Sequence, residues 1–182
     1  MNTKIIDIKE TIGLEDLEID SFLNSKIGYI DRKIYIIDKD DNGFYTYEDV
    51  FDKKDYIKKM TLNNKYVTML KNIESINKVV WEFCQNISYR IRRKNLPVSV
   101  YCFISPEGSI SFDMHDDPDD VLIYVVHGEK CMETFNKEYI LKKGQCLFIP
   151  KKTQHRAINK KESVILSIGL DEFYMDKIKG LG

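Results

Sequence analysis

Gly144-Gln-Cys-Leu-Phe-Ile-Pro150-Lys-Lys-Thr-Gln-His155-Arg-Ala-Ile-Asn159 decides the fold. Gly144 permits a tight turn, the apolar run 146–149 makes a short strand, and Pro150, which cannot donate to a sheet ladder, stops it. His155 re-enters the next strand facing the interior of a β-barrel. The surrounding chain has the same grain. β-branched and aromatic runs fall at 98–104, 121–126, 131–135, 139–141, 146–149 and 163–169, separated by turn residues and without intervening helices. That rhythm predicts an all-β barrel or double-sheet jelly roll.

Upstream, the elements are mixed. A thin apolar periodicity at Leu14, Leu17, Ile19, Phe22 and Leu23 predicts a short helix within residues 1–24. Lys33-Ile-Tyr-Ile-Ile37 and Phe44-Tyr-Thr-Tyr47 flank Asp38-Lys-Asp-Asp-Asn-Gly43 and read as a β-hairpin. The same turn reproduces half of a calcium loop, with Asp38, Asp40, Asn42, Gly43 and Asp49 at the required spacing. A preceding strand and a closing Asp in place of Glu favour the plain turn. From Lys65 to Lys94, Met69, Leu70, Ile73, Ile76, Val80, Phe83 and Ile87 recur at helical steps, predicting one long helix or two, with Trp81 in the core. Basic residues in Tyr89-Arg-Ile-Arg-Arg-Lys94 complement the helix C-terminus; a patch for an acidic substrate or RNA is the sharper alternative.

The 182 residues suit a single domain: a helical and hairpin portion over 1–97, a β core over 98–170 and a tail over 171–182. Lys plus Arg, 28, nearly cancel Asp plus Glu, 29, which excludes a global basic field for nucleic acid or anionic membrane. No apolar run approaches the ~18 residues of a membrane span, and the N-terminus carries acids where a secretory leader needs an apolar stretch. A cytoplasmic location is expected. Cys84, Cys102, Cys131 and Cys146 lack metal-site spacing and read as buried free thiols.

His115 and Asp117 are two apart, so a regular strand turns both to one face and Asp116 away. A lone His-x-Asp is a weak signal. Joined by His155, it becomes the 2-His-1-carboxylate set that leaves positions open on a non-haem Fe(II) ion. His127 reads as a strand residue.

The segment from Gly144 to Asn159 resembles the second cupin motif, with Lys152 where the motif places its middle Gly. The first cupin motif is altered: Asp117 replaces the second His and Val121 stands at the glutamate ligand's position, leaving three protein ligands. Residues 98–170 are similar to the Jumonji-type (JmjC) 2-oxoglutarate oxygenases of the cupin superfamily, the hydroxylase branch. The resemblance rests on Phe103-Ile-Ser-Pro-Glu-Gly-Ser-Ile-Ser-Phe-Asp-Met-His115-Asp-Asp117 and the following Gly128-Glu-Lys130. It implies a double-stranded β-helix (cupin/jelly-roll) core, Fe(II) held by His115, Asp117 and His155, and 2-oxoglutarate and O2 as cosubstrates. Lys130, fifteen residues past His115 (130 − 115), would bind the distal carboxylate. Phe112 and Val121 stand where some members place polar cosubstrate contacts, leaving the remaining contact unassigned. The spacing of 40 residues between the histidines (155 − 115) is short for the family, so inserted substrate elements are missing. Hydroxylation of a peptide, protein or small-molecule substrate is the expected activity. The alternatives are a small metal-binding cupin that senses a ligand or works independently of 2-oxoglutarate, and a metal-free scaffold. Homodimerisation through the N-terminal helices stays open.

Overall fold

The computed structural model describes residues 2–6, 8–9, 11–25, 34–40, 45–92 and 98–170. Its elements, in chain order, are β1 (Lys4–Ile6), α1 (Ile19–Asn24), β2 (Ile34–Lys39), β3 (Tyr45–Asp49), α2 (Lys53–Leu62), β4 (Val67–Lys71), α3 (Lys78–Arg92), β5 (Val98–Ser105), β6 (Asp120–Thr134), β7 (Lys137–Lys142), β8 (Cys146–Ile149), β9 (His155–Ile158) and β10 (Ser163–Leu170). The fold is mainly β, with a jelly-roll core, N-terminal helices and a hairpin as expected. Strands run β1-β8-β6-β10-β5-β4-β2-β3 across one antiparallel sheet, and β7 and β9 flank the second half of β6.

The runs 121–126 and 131–135 are one strand, not two. β6 continues through His127 to Lys130 and passes from the larger sheet, where it pairs β8 and β10, to the smaller, where it pairs β7 and β9. Gly128 makes this passage with φ 73, beside a register shift at Val164/Ile165. Both faces of the first half are buried. Leu122, Tyr124 and Val126 face the helices, while Val121, Ile123 and Val125 face the jelly-roll interior.

Helix α3 lays Val80, Phe83, Cys84 and Ile87 on the sheet, each contributing roughly 1.5–3 kcal/mol of apolar burial for the larger side chains. Asn77 caps it, accepting from Val80 N at 2.9 Å. Trp81 falls on the opposite side and is 48 % exposed, so its expected place in the core is corrected. The helical reading of 65–71 is also corrected: β4 lies between β2 and β5, buried on both faces from Val67 to Leu70. A strand apolar on both faces has no alternation to betray it, and Met69, Leu70 and Ile73 fell by chance at helical steps. Helix α2 was unforeseen, although its Asp52 cap accepts from Asp55 N at 2.8 Å. So was β1, which pairs β8.

β2 and β3 form the expected hairpin, adding to β4 and extending the core sheet. Most of its turn, residues 41–44, lies outside the described residues, as do Arg93, Lys94 and the tail 171–182. Asp49 pairs across from Tyr35 and Asp38 from Thr46, about 10 Å apart along the ladder, so strands occupy both flanks where a calcium loop needs helices. The four cysteines are buried and free, as expected. No helix among the described residues is long and apolar enough to cross a membrane.

A Cβ on Gly128 would meet the Glu162 carbonyl oxygen at 2.1 Å, in addition to the left-handed φ. Gly128→Ala is therefore expected to destabilise the fold by more than about 2 kcal/mol, read from the midpoint of urea unfolding.

Candidate metal centre

His115 lies in an irregular stretch and joins β9 through a single antiparallel bridge to His155. The two residues exchange both backbone bonds, His115 N to His155 O at 3.0 Å and His155 N to His115 O at 2.8 Å. Directly opposed residues point to one side, and the rings stand 4.6 Å apart, centroid to centroid. Asp117 is placed by its own carbonyl, which accepts from Lys152 N at 2.9 Å. Lys152 has φ 61, so it holds the left-handed conformation that the motif's Gly would take, at some strain for a residue with a Cβ.

One ligand atom from each of His115, Asp117 and His155 lies within 4.8 Å of the others. The expected convergence is realised without the regular strand that the sequence suggested. Each imidazole places Nδ1 2.8 Å from a backbone carbonyl, Asp113 O for His115 and Thr153 O for His155. A carbonyl only accepts, so Nδ1 carries the proton and Nε2 keeps a lone pair for a metal. His155 Nε2 stands 3.3 Å from Asp117 Oδ2. Burial presses the His155 pKa down, but the Asp117 hydrogen bond and the Thr153 carbonyl outweigh it and leave the pKa raised. The carboxylate that favours the protonated imidazole would equally favour a metal cation at Nε2. Two neutral nitrogens and one carboxylate on one side of an ion suit a divalent transition metal with open positions.

Asp116 turns outward and accepts from Gln154 Nε2 at 2.7 Å, and His127 sits on β6 beside Glu162 at 3.6 Å, away from the triad. Val121 and Phe112 line the triad's cavity as apolar walls.

Lys130 is only 1 % exposed and lines the same cavity, of about 920 Å³, as the triad. Its Nζ donates to Ser105 Oγ at 3.2 Å and to Asn159 Oδ1. Asn159 is held in that orientation because its amide donates to Ser109 Oγ at 2.9 Å and Ile110 O at 2.7 Å. Both partners of the lysine are neutral, and no carboxylate of the described residues pairs with it. Burial accordingly lowers its pKa to about 7. Ser105 and Asn159 were not singled out from the sequence as partners of Lys130. Asn159 closes a recognisable motif, while Ser105 carries no signal of its own.

The hairpin also enters the site, which the sequence did not show. The Tyr45 hydroxyl lies between Ser111 O, to which it donates, and Asp113 Oδ1 at 3.1 Å. Lys39 Nζ reaches Asp113 Oδ1 at 3.5 Å, and Phe112 packs edge-on between the Tyr45 ring, 5.2 Å away, and the His115 ring, 5.9 Å away. Because Asp113 O accepts the hydrogen bond from His115 Nδ1, Tyr45 restrains the loop that orients this imidazole. Tyr45→Phe, which keeps the ring, is expected to weaken Co(II) binding about tenfold by calorimetry, with the unfolding temperature of the metal-free protein nearly unchanged.

Lys130 generates a second expectation, with a definite sign. Its folded pKa of about 7 lies below the unfolded value of 10.5, so between these the unfolded chain binds more protons and stability rises with pH. The burial penalty is complete below about pH 7 and fades toward pH 10.5. Lys130→Met is expected to stabilise the ligand-free protein most at low pH and to flatten the slope of unfolding free energy over that window.

No curated protein matches this chain in sequence. Among solved structures, the ribosomal oxygenase YcfD from Escherichia coli in complex with cobalt and 2-oxoglutarate is similar with a TM-score of 0.69 at 14% identity, covering 98% of this chain and 50% of that one. YcfD in complex with cobalt and succinic acid gives 0.66 at 12%, covering 93% and 48%. At such identities the likeness establishes the fold, and this chain spans about half the length of YcfD. The jelly-roll segment itself, residues 101–169, matches the family model of the Cupin domain.

Proposed function

We propose that this protein is an Fe(II)- and 2-oxoglutarate-dependent oxygenase that hydroxylates a peptide, protein or small-molecule substrate. The observation that carries the reading is Lys130, a buried cation with neutral partners in the cavity lined by a three-ligand metal set. Such a charge costs several kcal/mol to bury unless an anion joins it. The distal carboxylate of 2-oxoglutarate is such an anion, and the charge-assisted bond gains strength in a site of low dielectric. Fe(II) bound at the triad would supply activation of O2 coupled to the decarboxylation of 2-oxoglutarate to succinate and CO2.

The chain's own residues have three tasks. His115, Asp117 and His155 would hold the ion, and three protein ligands would leave positions open to exogenous ones. Lys130, Ser105 and Asn159 orient the cosubstrate from its far end. Val121, Ile123, Met132 and Ile165 wall the cavity with apolar surface and limit water. No conventional nucleophile is required. The structural likeness to YcfD, solved with cobalt and 2-oxoglutarate, supports the reading at the level of the fold.

A metal-binding cupin that senses a ligand or works without 2-oxoglutarate is the second reading. It is favoured by the apolar Phe112 and Val121, which give a cosubstrate no polar contact from their side of the cavity. One assay separates the two. With Fe(II), O2 and 2-oxoglutarate the wild type is expected to release succinate, His115→Ala to lose this, and Lys130→Met to raise the KM for 2-oxoglutarate at least ~10-fold while still binding metal. Metal binding with no consumption of 2-oxoglutarate by the wild type would leave the second reading standing.

A further inference from the structure

A second lysine lines the cavity. Along β4, Val67, Met69 and Lys71 face the cavity while Thr68 and Leu70 face away and are fully buried. Lys71 is therefore the charged member of an inward row otherwise apolar. It is partly buried, and no carboxylate of the described residues lies within ion-pair distance of it. Across the sheet it stands in register with Tyr101, and Tyr101 with Ser167, so hydroxyls continue its row over the cavity floor.

The acids that share the cavity do not neutralise it. Asp113 is engaged by Lys39 and Tyr45, and Asp117 belongs to the metal set. Asp119 precedes β6, which is separated from β4 by β10 and β5, about 14 Å away across the sheet. The two lysines enter the cavity at different levels of the sheet. Lys130 is anchored at Ser105, and Tyr101, the register partner of Lys71, lies four residues along the same strand, about 13 Å away. With bonds of about 1.5 Å, a five-carbon diacid spans about 5 Å between its carboxyl carbons. A cavity of about 920 Å³ has room for a further molecule beside it.

We propose that Lys71 anchors a carboxylate on the substrate itself, so that the preferred substrate is an acid whose apolar or aromatic body lies along Tyr35, Met69 and Phe103. The inference rests on the oxygenase reading for the word substrate, but the anion site stands on Lys71 alone. A single ammonium suits a monoanion, with one charge-assisted bond.

The test uses the full chain loaded with Co(II), titrated calorimetrically with phenylacetate and with the isosteric neutral phenylacetamide, with and without saturating N-oxalylglycine, a stable mimic of 2-oxoglutarate. The wild type is expected to bind phenylacetate about tenfold more tightly than the amide in the presence of the mimic. Lys71→Met should abolish that preference and Lys71→Arg retain it, while both still bind N-oxalylglycine; Lys130→Met should lose the mimic. Equal affinity for acid and amide in the wild type, or a preference that persists in Lys71→Met, overturns the proposal. If N-oxalylglycine fails to bind the wild type while the acid preference still depends on Lys71, the anion site holds and the oxygenase reading falls.

Discussion

Strand β6 belongs to two sheets because Gly128 lets the backbone turn through the left-handed region against the Glu162 carbonyl, where no side chain would fit. Two walls of the cavity meet at that passage. Before the bend, Val121 and Ile123 form its apolar wall; after it, Lys130 points into the same space from the smaller sheet, paired with β7 and close to β9. The strand that carries the buried cation is thus covalently continuous with the strand that lines the metal set. β9 contributes His155 at one end, and Asn159 follows it directly, so metal ligand and lysine partner are separated by a single short strand. A short rigid segment sets the distance between the two halves of the site.

The ligand His115 lacks the support of a regular strand, and the structure compensates locally. The backbone bridge to His155, the Asp113 carbonyl on Nδ1 and the hairpin's grip through Tyr45 act on one stretch of seven residues or fewer, 111–117. The hairpin lies outside the segment that matches the Cupin domain, yet its hydroxyl and ring bear on the loop that carries His115, a candidate metal ligand. Accessory strands here extend the sheet and also restrain the site.

How much of this the sequence disclosed depends on how local the signal was. Gly144, Pro150 and His155 act within a few residues of themselves, and the β core and its turns were legible for that reason. β4 was not, since a central strand buried on both faces carries no period, and β1 is too short to show one. Trp81 was misplaced because one residue's rotation around a helix decides exposure, and α3 turns its apolar stripe toward Val80, Cys84 and Ile87 instead. At the candidate site, the convergence of His115, Asp117 and His155 was legible and its geometry was not: the spacing of His115 and Asp117 suggested a strand, whereas a bridge and the left-handed Lys152 do the placing. The burial of Lys130, its partner Ser105 and the role of Tyr45 depend on contacts 25 and 66 residues distant in the chain, which local pattern cannot convey.

The chemistry of Lys130 explains why its partners are neutral. An ammonium has three donors; Ser105 and Asn159 accept two of them and leave one for the cavity. Had either partner been a carboxylate, the charge would be satisfied within the protein, the pKa would lie high, and an incoming anion would meet repulsion. Neutral acceptors instead fix the direction of the side chain without quenching its field. The consequence is a buried ammonium whose cost is not offset by any carboxylate of the described residues, and which a bound anion would relieve. Binding and folding energy are therefore coupled at this residue. The more completely the lysine is dried by its surroundings, the larger the share of its burial penalty that a carboxylate would relieve, and the more sharply an acid would be favoured there over its neutral isostere.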